Sequence, residues 1–228
     1  MRAAMVMMGV VVGCASGDVY TGGVVSGVGV PDDVSAGVEV VVGVDAPVGV
    51  VVDSVVVDLV IEHDWVGDLV VVLRAPSGVE VVLLDRAGIP NAGGFPGPFG
   101  CGGRDIDARF VDGAMDAAET MCSTTAVPVI SGDVRGVELL SGFVGAGVDG
   151  DWVLVVSDRS GYDTGSVVSV GLTIEGSVVC AADLNGDGSA DFFDVSELLQ
   201  NSVDYNGDTG FDFFDISDFL QDLSAGCP

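Results

Sequence analysis

Short apolar runs, some of them alternating with polar residues, give most of this chain a β pattern, from about Val24 to Glu175. A period of two is typical of a β-strand with one buried and one wet face. The clearest run puts Val55, Val57, Leu59 and Ile61 on one face and Ser54, Asp58 and Glu62 on the other. Further strands are predicted around two turns, at Leu69–Arg74 and Val79–Leu84, and at Trp152–Val156 and Val167–Ile174. Short strands between glycine-rich turns predict a mainly β fold, a sandwich or a barrel.

Two segments depart from this alternation. The stretch from Ala87 to Thr125 is long and rich in glycine. We interpret it as an excursion outside the sheet, with a short helical turn near Ala114–Thr120. Near the C-terminus the apolar spacing changes to i, i+3, i+4, which is typical of an amphipathic helix. It occurs twice, at Val195, Leu198 and Leu199 and at Ile216, Phe219 and Leu220. The pattern therefore predicts a β-sandwich followed by a small α-helical module.

Charge limits what the chain can bind. The sequence has 35 Asp and Glu against 7 basic residues, all of them arginine, for a formal net charge of −28. Such a surface repels nucleic acid and anionic lipid, so neither is expected as a partner. It suits cations, basic partners or a saline habitat, where screening weakens the self-repulsion.

Residues 1–17 are interpreted as an export signal. Arg2 precedes an apolar run from Ala3 to Val12, and small residues follow. That run is too short to cross a bilayer, and no later stretch qualifies as a transmembrane segment. The Val11–Cys14 run also resembles the lipobox of bacterial lipoproteins, which implies a lipid anchor on Cys14. Ordinary cleavage, lipidation and a plain apolar N-terminus stay open, and the first two predict a secreted or cell-surface protein.

Four further cysteines suit an exported chain with disulfides. Pairing by neighbourhood is the simplest of the three connectivities, and it joins Cys101 to Cys122 and Cys180 to Cys227. A zinc site is not expected, because the sequence has no C-x-x-C motif and His63 is its single histidine.

The β segment resembles the P domain (P/Homo B) of proprotein convertases over roughly residues 25–176. The similarity lies in Ile61–Leu69, Leu73–Val79, Leu83–Leu84, Phe143–Gly145, Asp163–Gly165 and Leu172–Ile174, with Val30–Asp33 at its start. Its most specific part is the G-x-W-x-L-x-V-x-D block at Gly150–Asp158. Val170 stands where the family usually has an aromatic residue, and the excursion with Cys101 and Cys122 is longer than usual. The resemblance implies a jelly-roll-like sandwich.

The resemblance also implies an association with subtilisin-like serine proteases, whose folding the P domain supports. No protease domain is recognisable in this chain, and a catalytic triad needs a scaffold of its own. We therefore interpret His63 as structural or surface-exposed and predict that the chain is not an enzyme. Bacterial P domains similar to this one carry calcium near certain loop carboxylates, which here are Asp64, Asp68, Asp107 and Asp112. The alternative for these four residues is a set of solvated loop carboxylates.

The sharpest motif is a duplicated twelve-residue loop. Oxygen ligands at positions 1, 3, 5, 7, 9 and 12 are the EF-hand-like pattern for calcium, with position 7 contributing its carbonyl. In the first loop these are Asp183, Asn185, Asp187, Ser189, Asp191 and Asp194. In the second loop they are Asp204, Asn206, Asp208, Gly210, Asp212 and Asp215. Gly188 provides the sharp turn at position 6 of the first loop, whereas Thr209 takes that place in the second, which predicts a weaker or distorted site.

Aspartate at position 12 and the 21-residue repeat resemble the type I dockerin, in which one helix follows each loop. The Gly226-Cys227-Pro228 ending resembles a dockerin-like group found mostly in planctomycete-type bacteria. This resemblance implies a cohesin-like or cell-envelope protein as partner. It also implies a docking surface at positions 10 and 11, which are Phe192, Phe193, Phe213 and Phe214. We favour a core position for at least one phenylalanine of each pair, with an exposed anchor as the alternative.

The sequence thus predicts three parts: a signal at 1–17, a P-domain-like β-sandwich at 18–176 and a dockerin-like module at 177–228. The favoured function is an exported, non-catalytic protein that binds two calcium ions in its C-terminal module. A further ion in the sandwich depends on the four carboxylates of the P-domain resemblance. The alternative is an accessory subunit of a subtilisin-like protease or of a polysaccharide-degrading complex.

Overall fold

The computed structural model describes residues 17–47, 49–88, 100–123, 125–178, 180–187 and 189–225. The chain divides into two compact units, one of them Gly17–Gly176 and the other containing the described residues from Ser177 onward. Residues 1–16 of the predicted signal, with the candidate lipid site at Cys14, lie outside the described residues, as do Gly188 and Cys227. Among the described helices, none is long and apolar enough to span a membrane.

Two open sheets form the first unit, so the fold is mainly β and arranged as a β-sandwich. The strands are β1 Asp18–Val30, β2 Val38–Val44, β3 Val50–His63, β4 Leu69–Arg74, β5 Glu80–Asp85, β6 Ile106–Phe110, β7 Ile130–Val134, β8 Gly150–Asp158 and β9 Gly165–Val178. One sheet has the order β1-β9-β3-β6-β7 and the other the order β2-β8-β4-β5. All pairs with a resolved register are antiparallel except β6 with β7, which is parallel. Short 3-10 helices span Val66–Asp68, Ala118–Thr120 and Leu140–Phe143.

Burial follows the alternation expected from the sequence. Along β3, Val55, Val57, Leu59 and Ile61 are buried, whereas Asp58 and Glu62 are exposed. Trp152 of β8 is fully buried; its ring packs edge-on against Phe143 at 5.0 Å, and its indole N–H donates to the carbonyl of Val148 at 3.0 Å. The hydrogen bond removes the cost of burying the polar end of the indole.

The sheets approach closely at Gly22 of β1. A Cβ atom placed there would lie 2.6 Å from the carbonyl oxygen of Gly43 in β2. Because β1 and β2 belong to different sheets, only a residue without a side chain fits at this crossing.

The segment from Ala87 to Thr125 was predicted to lie outside the sheet, and for its middle part this prediction is wrong. Residues Ile106–Phe110 form strand β6, which pairs with β3 and β7 inside the five-stranded sheet. Ile106, Ala108 and Phe110 point into the core, while Asp107 and Arg109 are exposed.

The predicted Cys101–Cys122 disulfide is confirmed, with a Cα–Cα distance of 5.6 Å. Cys180 is also disulfide-bonded, and its predicted pairing with Cys227 falls on a residue outside the described part of the chain.

The second unit contains helices α1, Phe192–Asn201, and α2, Phe213–Ala225. Asp191 caps α1 in a capping box with Asp194, which satisfies N–H groups that a helix start leaves without partners. Leu198 and Phe219 are fully buried in a small core with Ala182. Leu199 and Leu220 of the predicted apolar stripes are about half exposed, because two helices and two loops provide little surface to cover them.

Two repeated acidic loops as the candidate functional site

The aspartate at position 12 of the first loop holds the two halves of that loop together. Asp194 is fully buried, and its Oδ1 accepts from the backbone N–H of Asn185 at 3.0 Å. Its Oδ2 accepts from the N–H of Asp191 at 2.8 Å. One carboxylate thus ties position 3 to position 9 and starts helix α1 at the same time.

The second loop repeats this arrangement 21 residues later. Asp215 is fully buried; its Oδ1 accepts from the N–H groups of Tyr205 and Asn206 at 2.7 and 3.1 Å, and its Oδ2 from that of Asp212 at 2.6 Å. These backbone donors, foremost that of Asp212, lower the pKa of the Asp215 carboxyl below its usual value, because hydrogen bonds to the ionised form favour it.

Positions 1 and 3 place their oxygens on one side of position 5. The N–H of Asp187 donates to Oδ1 of Asp183 at 3.1 Å and to Oδ1 of Asn185 at 2.8 Å. The equivalent bonds in the second loop are 3.1 and 2.9 Å, and they join Asp208 to Asp204 and Asn206. Two oxygens that share one donor lie close together, so each loop brings the side-chain oxygens of positions 1 and 3 near each other.

Positions 7 and 9 also repeat. The N–H groups of Ser189 and Gly210 donate to the Oδ1 atoms of Asp187 and Asp208 at 3.0 and 3.1 Å. The position 9 residues, Asp191 and Asp212, each accept from the N–H two residues ahead at 2.7 Å. Both therefore act as caps of the helix that follows.

The loops differ at position 6. Gly186 and Gly207 at position 4 both have positive φ, 70° and 75°. Thr209 at position 6 of the second loop also has a positive φ, 85°, a conformation that is costly for a β-branched residue. The first loop has Gly188 there, which lies outside the described residues.

The donor set suits a hard cation, since carboxylate, amide and carbonyl oxygens are the ligands that calcium prefers. Each carboxylate has about four lone-pair sites, so the buried position 12 groups keep acceptor capacity beyond their backbone bonds. Within the described parts of the chain, no three His, Cys, Asp or Glu side chains are grouped so as to hold a metal ion. In this conformation the loop oxygens are directed at backbone N–H groups instead.

The four phenylalanines at positions 10 and 11 are all largely exposed. Their exposed fractions are 76% for Phe192, 66% for Phe193, 74% for Phe213 and 62% for Phe214. Within each pair the rings meet edge to face, with centroids 6.5 and 6.2 Å apart. The expectation that one phenylalanine of each pair belongs to the core is therefore wrong. Leu198 and Phe219 fill that core instead, because they lie on the opposite sides of their helices.

The four carboxylates suggested by the P-domain resemblance have separate surroundings. Asp64 pairs with Arg104 at 2.8 Å, and buried Asp68 lies 3.7 Å from Arg86. Asp107 is exposed on β6, opposite Val60 of β3. The carboxylate of Asp112 accepts from the N–H groups of Leu140 and Ser141 at 2.6 and 2.8 Å. The four carboxylates therefore have different contacts: two pair with arginines, one lies exposed on a strand and one accepts from backbone N–H groups.

A buried His–Asp pair in the sandwich escaped the sequence reasoning. His63, at the end of β3, and Asp158, at the end of β8, are buried, with Nε2 and Oδ2 3.2 Å apart. Nδ1 of His63 lies 3.0 Å from the carbonyl oxygen and 3.2 Å from the N–H of Trp65. Burial raises the pKa of Asp158. Asp158 ends the most specific block of the P-domain resemblance, and this was the one signal in the sequence that pointed to it.

Comparisons with known proteins give a family match for part of the chain. Residues 52–95 match the proprotein convertase P-domain family, a non-catalytic domain associated with serine proteases. No curated protein matches the sequence. Among solved structures, the chain is similar to a serine protease of Aeromonas sobria in complex with a chaperone, at a TM-score of 0.44 and 15% identity. A structure of the serine protease alone gives 0.43 and 16%. Both similarities cover 70% of this chain and 27% of the protease chain.

Proposed function

We propose that the chain is an exported, non-catalytic calcium-binding protein in which a β-sandwich interaction module carries a dockerin-like docking module. The observation that carries this proposal is the hydrogen-bond frame that both loops share. The same oxygens accept from the same N–H groups 21 residues apart, at Asp194 and at Asp215. A frame repeated in this detail is the mark of two copies of one binding unit.

The chemistry of the loops favours calcium. The donors are oxygen only, and a hard cation with six to eight oxygen ligands suits such a set. The residues that would hold the two ions are those at positions 1, 3, 5, 7, 9 and 12, namely Asp183, Asn185, Asp187, Ser189, Asp191 and Asp194, and Asp204, Asn206, Asp208, Gly210, Asp212 and Asp215. Bound calcium supplies positive charge that offsets the repulsion among the carboxylates.

The negative charge of the C-terminal segment favours folding that is coupled to calcium binding. The sequence has no basic residue after Arg159, whereas eleven acidic side chains fall between Asp183 and Asp222. Among the described residues of the unit, three fully buried apolar residues form the centre of the core, and so small a core offsets little electrostatic repulsion. We therefore infer that the C-terminal segment acquires its stable fold when calcium binds.

Docking is the role that the exposed phenylalanines support. A small acidic unit that exposes four large rings carries an apolar surface that a partner can cover. Phe192 and Phe193 at the start of α1, and Phe213 and Phe214 at the start of α2, form this docking surface. A cohesin-like or cell-envelope protein with an apolar pocket is the partner of matching chemistry.

The surroundings of His63 support a structural role for this residue. In the tautomer with a proton on Nε2, the ring donates to Asp158 and accepts from the N–H of Trp65. Both ring nitrogens are then engaged with protein groups in a buried site, whereas a general base needs a nitrogen directed at a nucleophile.

The second candidate function is an accessory subunit of a subtilisin-like serine protease or of a polysaccharide-degrading complex. The family match at residues 52–95 favours its protease form, since P domains accompany serine proteases. In this alternative the sandwich is the functional part and the acidic loops attach it to the assembly.

Calorimetric titration of the full chain with calcium tests the first proposal. We expect two ions per chain, with heat from binding and a gain of helical circular dichroism. Asp194→Asn and Asp215→Asn should each remove one ion, whereas Asp218→Asn, an exposed aspartate outside the loops, should leave the stoichiometry at two. Equilibrium dialysis that finds no bound calcium at millimolar concentrations would refute the proposal.

A genetic observation separates the two candidates. Neighbouring genes for cohesin-like proteins would favour the docking role, and neighbouring genes for a subtilisin-like protease would favour the accessory role. In the accessory role, co-expression with this chain should raise the yield of active protease. A variant with Phe193→Ala and Phe214→Ala should lose binding to a cohesin-like partner while the calcium stoichiometry is unchanged.

A further inference from the structure

A cleft of about 240 Å³ opens in the sandwich beside strand β8. It is lined by two aromatic residues, two carboxylates and two small residues: Trp65, Tyr162, Asp68, Asp163, Ser160 and Gly161. Pockets for whole small molecules usually enclose roughly 300–1,000 Å³. The size of this cleft therefore suits a single side chain of a partner molecule.

One wall of the cleft is held in place. Trp65 lies two residues after the buried His63, and its backbone N–H donates to Nδ1 of His63 at 3.2 Å. The indole packs on Gly102, where a Cβ atom would lie 2.8 Å from the ring. Gly102 adjoins Cys101 of the disulfide. The ring is thus positioned before any ligand arrives.

The loop after β8 also lines the cleft, through Ser160, Gly161, Tyr162 and Asp163. Tyr162 is 100% exposed, and its backbone has a φ of 93°. The N–H of Tyr162 donates to Asp32 at 3.1 Å, and that of Ser160 to buried Asp158 at 2.9 Å. These two bonds fix the loop while the phenol ring stays in solvent, where it can lie over a bound group.

The charge in the cleft is negative. Asp68 is buried in the lining of the cleft, where it forms a long ion pair with Arg86 at 3.7 Å, and Asp163 adds a second carboxylate. Burial, followed by the charge of Asp158, raises the pKa of Asp68 to about 6, and the charge of Asp163 also contributes. A cation placed here would favour the ionised form of Asp68 and relieve the repulsion among these carboxylates.

We propose that this cleft binds the side chain of an arginine presented by a partner protein, between Trp65 and Tyr162 and against Asp68 and Asp163. A guanidinium group stacks on aromatic faces and donates to carboxylates in one planar arrangement. Ionised carboxylates only accept hydrogen bonds, so a ligand with several donors and a positive charge matches the lining. This site lies in the sandwich and does not depend on the calcium loops.

The test uses the full chain and three probes. Nα-acetylarginine methylamide, its neutral analogue Nα-acetylcitrulline methylamide and methyl glucoside are titrated separately, and nuclear magnetic resonance follows the amides of Gly161 and Tyr162 and both indole N–H signals. The sequence has two tryptophans, and Trp152 is fully buried. We expect saturable shifts at Trp65, Gly161 and Tyr162 with the arginine probe, and no shift at Trp152.

Two variants locate the binding. Tyr162→Ala and Asp163→Asn should each weaken binding of the arginine probe about fivefold, the size of one cation–π contact. Asp116→Asn removes an exposed carboxylate elsewhere and should leave affinity within about twofold. Equal binding of the citrulline probe, saturation with methyl glucoside alone, absence of saturation with arginine, or equal loss in Asp116→Asn would each overturn the proposal.

Discussion

Nε2 of His63 lies 3.2 Å from Oδ2 of Asp158, and neither side chain is exposed to solvent. The two residues are far apart in the sequence and end two strands that belong to different sheets. Asp158 also accepts from the N–H of Ser160. The pair therefore links the two layers of the sandwich at one end of the strands and fixes the loop after β8.

Removal of one partner from this pair should destabilise the sandwich. Asp158→Ala leaves a buried imidazole without its acceptor, and we expect a loss of about 3 kcal/mol in the free energy of unfolding. Urea denaturation followed through the fluorescence of buried Trp152 measures this loss. Asp116→Asn, at an exposed position, is the matched control and should change stability by less than about 0.5 kcal/mol. Equal stabilities for the two variants would contradict a structural role for the pair.

Two carboxyl groups, one buried (Asp68) and one partly buried (Glu119), predict how the stability of the sandwich depends on pH. Burial raises the pKa of Glu119 to about 7 and that of Asp68 to about 6. The folded state then binds more protons than the unfolded state between about pH 4 and pH 7. The contribution of these groups to the unfolding free energy therefore falls as the pH rises through that range.

Glu119→Gln isolates one of these contributions. The amide keeps an acceptor for the N–H of Asp85 but carries no charge. We expect the variant to be more stable than the wild type at pH 8, by on the order of 2 kcal/mol, and equal to it near pH 4. Denaturation at a series of pH values measures this difference. A difference that does not change with pH would show that the carboxyl of Glu119 does not titrate with folding.

Calcium removal should affect the two units differently. Chelation is expected to abolish the helical circular dichroism of α1 and α2, because the carboxylates of the loops then repel one another without compensation. The sandwich has its own core and should keep the fluorescence of Trp152. Magnesium at the same concentration is the ionic control, since its smaller octahedral shell suits these loops less well. A helical signal that survives chelation would count against folding coupled to calcium.

The positive φ of Thr209 indicates a substitution that should raise the calcium affinity of the second loop. Thr209→Gly removes the cost of a positive φ at position 6 and should strengthen calcium binding in the second loop about fivefold, the equivalent of roughly 1 kcal/mol. Gly207→Ala, at a φ of 75°, should weaken the same loop by a similar factor. Calorimetry resolves the two sites, and the first loop provides an internal reference. Equal affinities in the wild type and Thr209→Gly would contradict strain at this position.

Alanine substitutions distinguish the docking surface from the core without any partner. Phe219→Ala removes a fully buried ring and should cost about 3 kcal/mol or more in the stability of the calcium-loaded unit. Phe193→Ala and Phe214→Ala remove exposed rings and should cost less than about 0.5 kcal/mol each. Thermal denaturation with calcium measures all three variants. A large loss in Phe193→Ala would show that this ring is part of the core.

Whether a strand could be predicted depended on the length of its alternating run and on the residues around it. The alternation along β3 is long, and it predicted both the strand and its buried face. Strand β6 has the same alternation at Ile106, Ala108 and Phe110, but only five residues carry it and a glycine-rich segment precedes it. A pattern of that length does not distinguish a strand from part of a loop.

The candidate sites were predictable to different degrees. The loop residues follow one another at fixed spacing, so the repeat of their hydrogen bonds 21 residues apart agrees with the duplication in the sequence, whereas calcium binding by them stays a prediction. The pairing of His63 with Asp158 depends on which strand ends meet, and the local sequence does not contain that information. Exposure of the four phenylalanines was misjudged because a preference for the core applies to aromatic residues on average, whereas the face that each helix buries decides the individual case.

The pairing of β1 with β9 has a consequence for how the chain can be made. Asp18 lies opposite Gly176, and Val30 opposite Gly165, so the first strand of the five-stranded sheet has no neighbour within that sheet until the last one has been synthesised. In a nascent chain this strand cannot complete its pairing within the five-stranded sheet until the strands that follow it have emerged from the ribosome. The sandwich is thus completed in one late step, and a protein shortened before residue 165 would leave its opening strand available for aggregation.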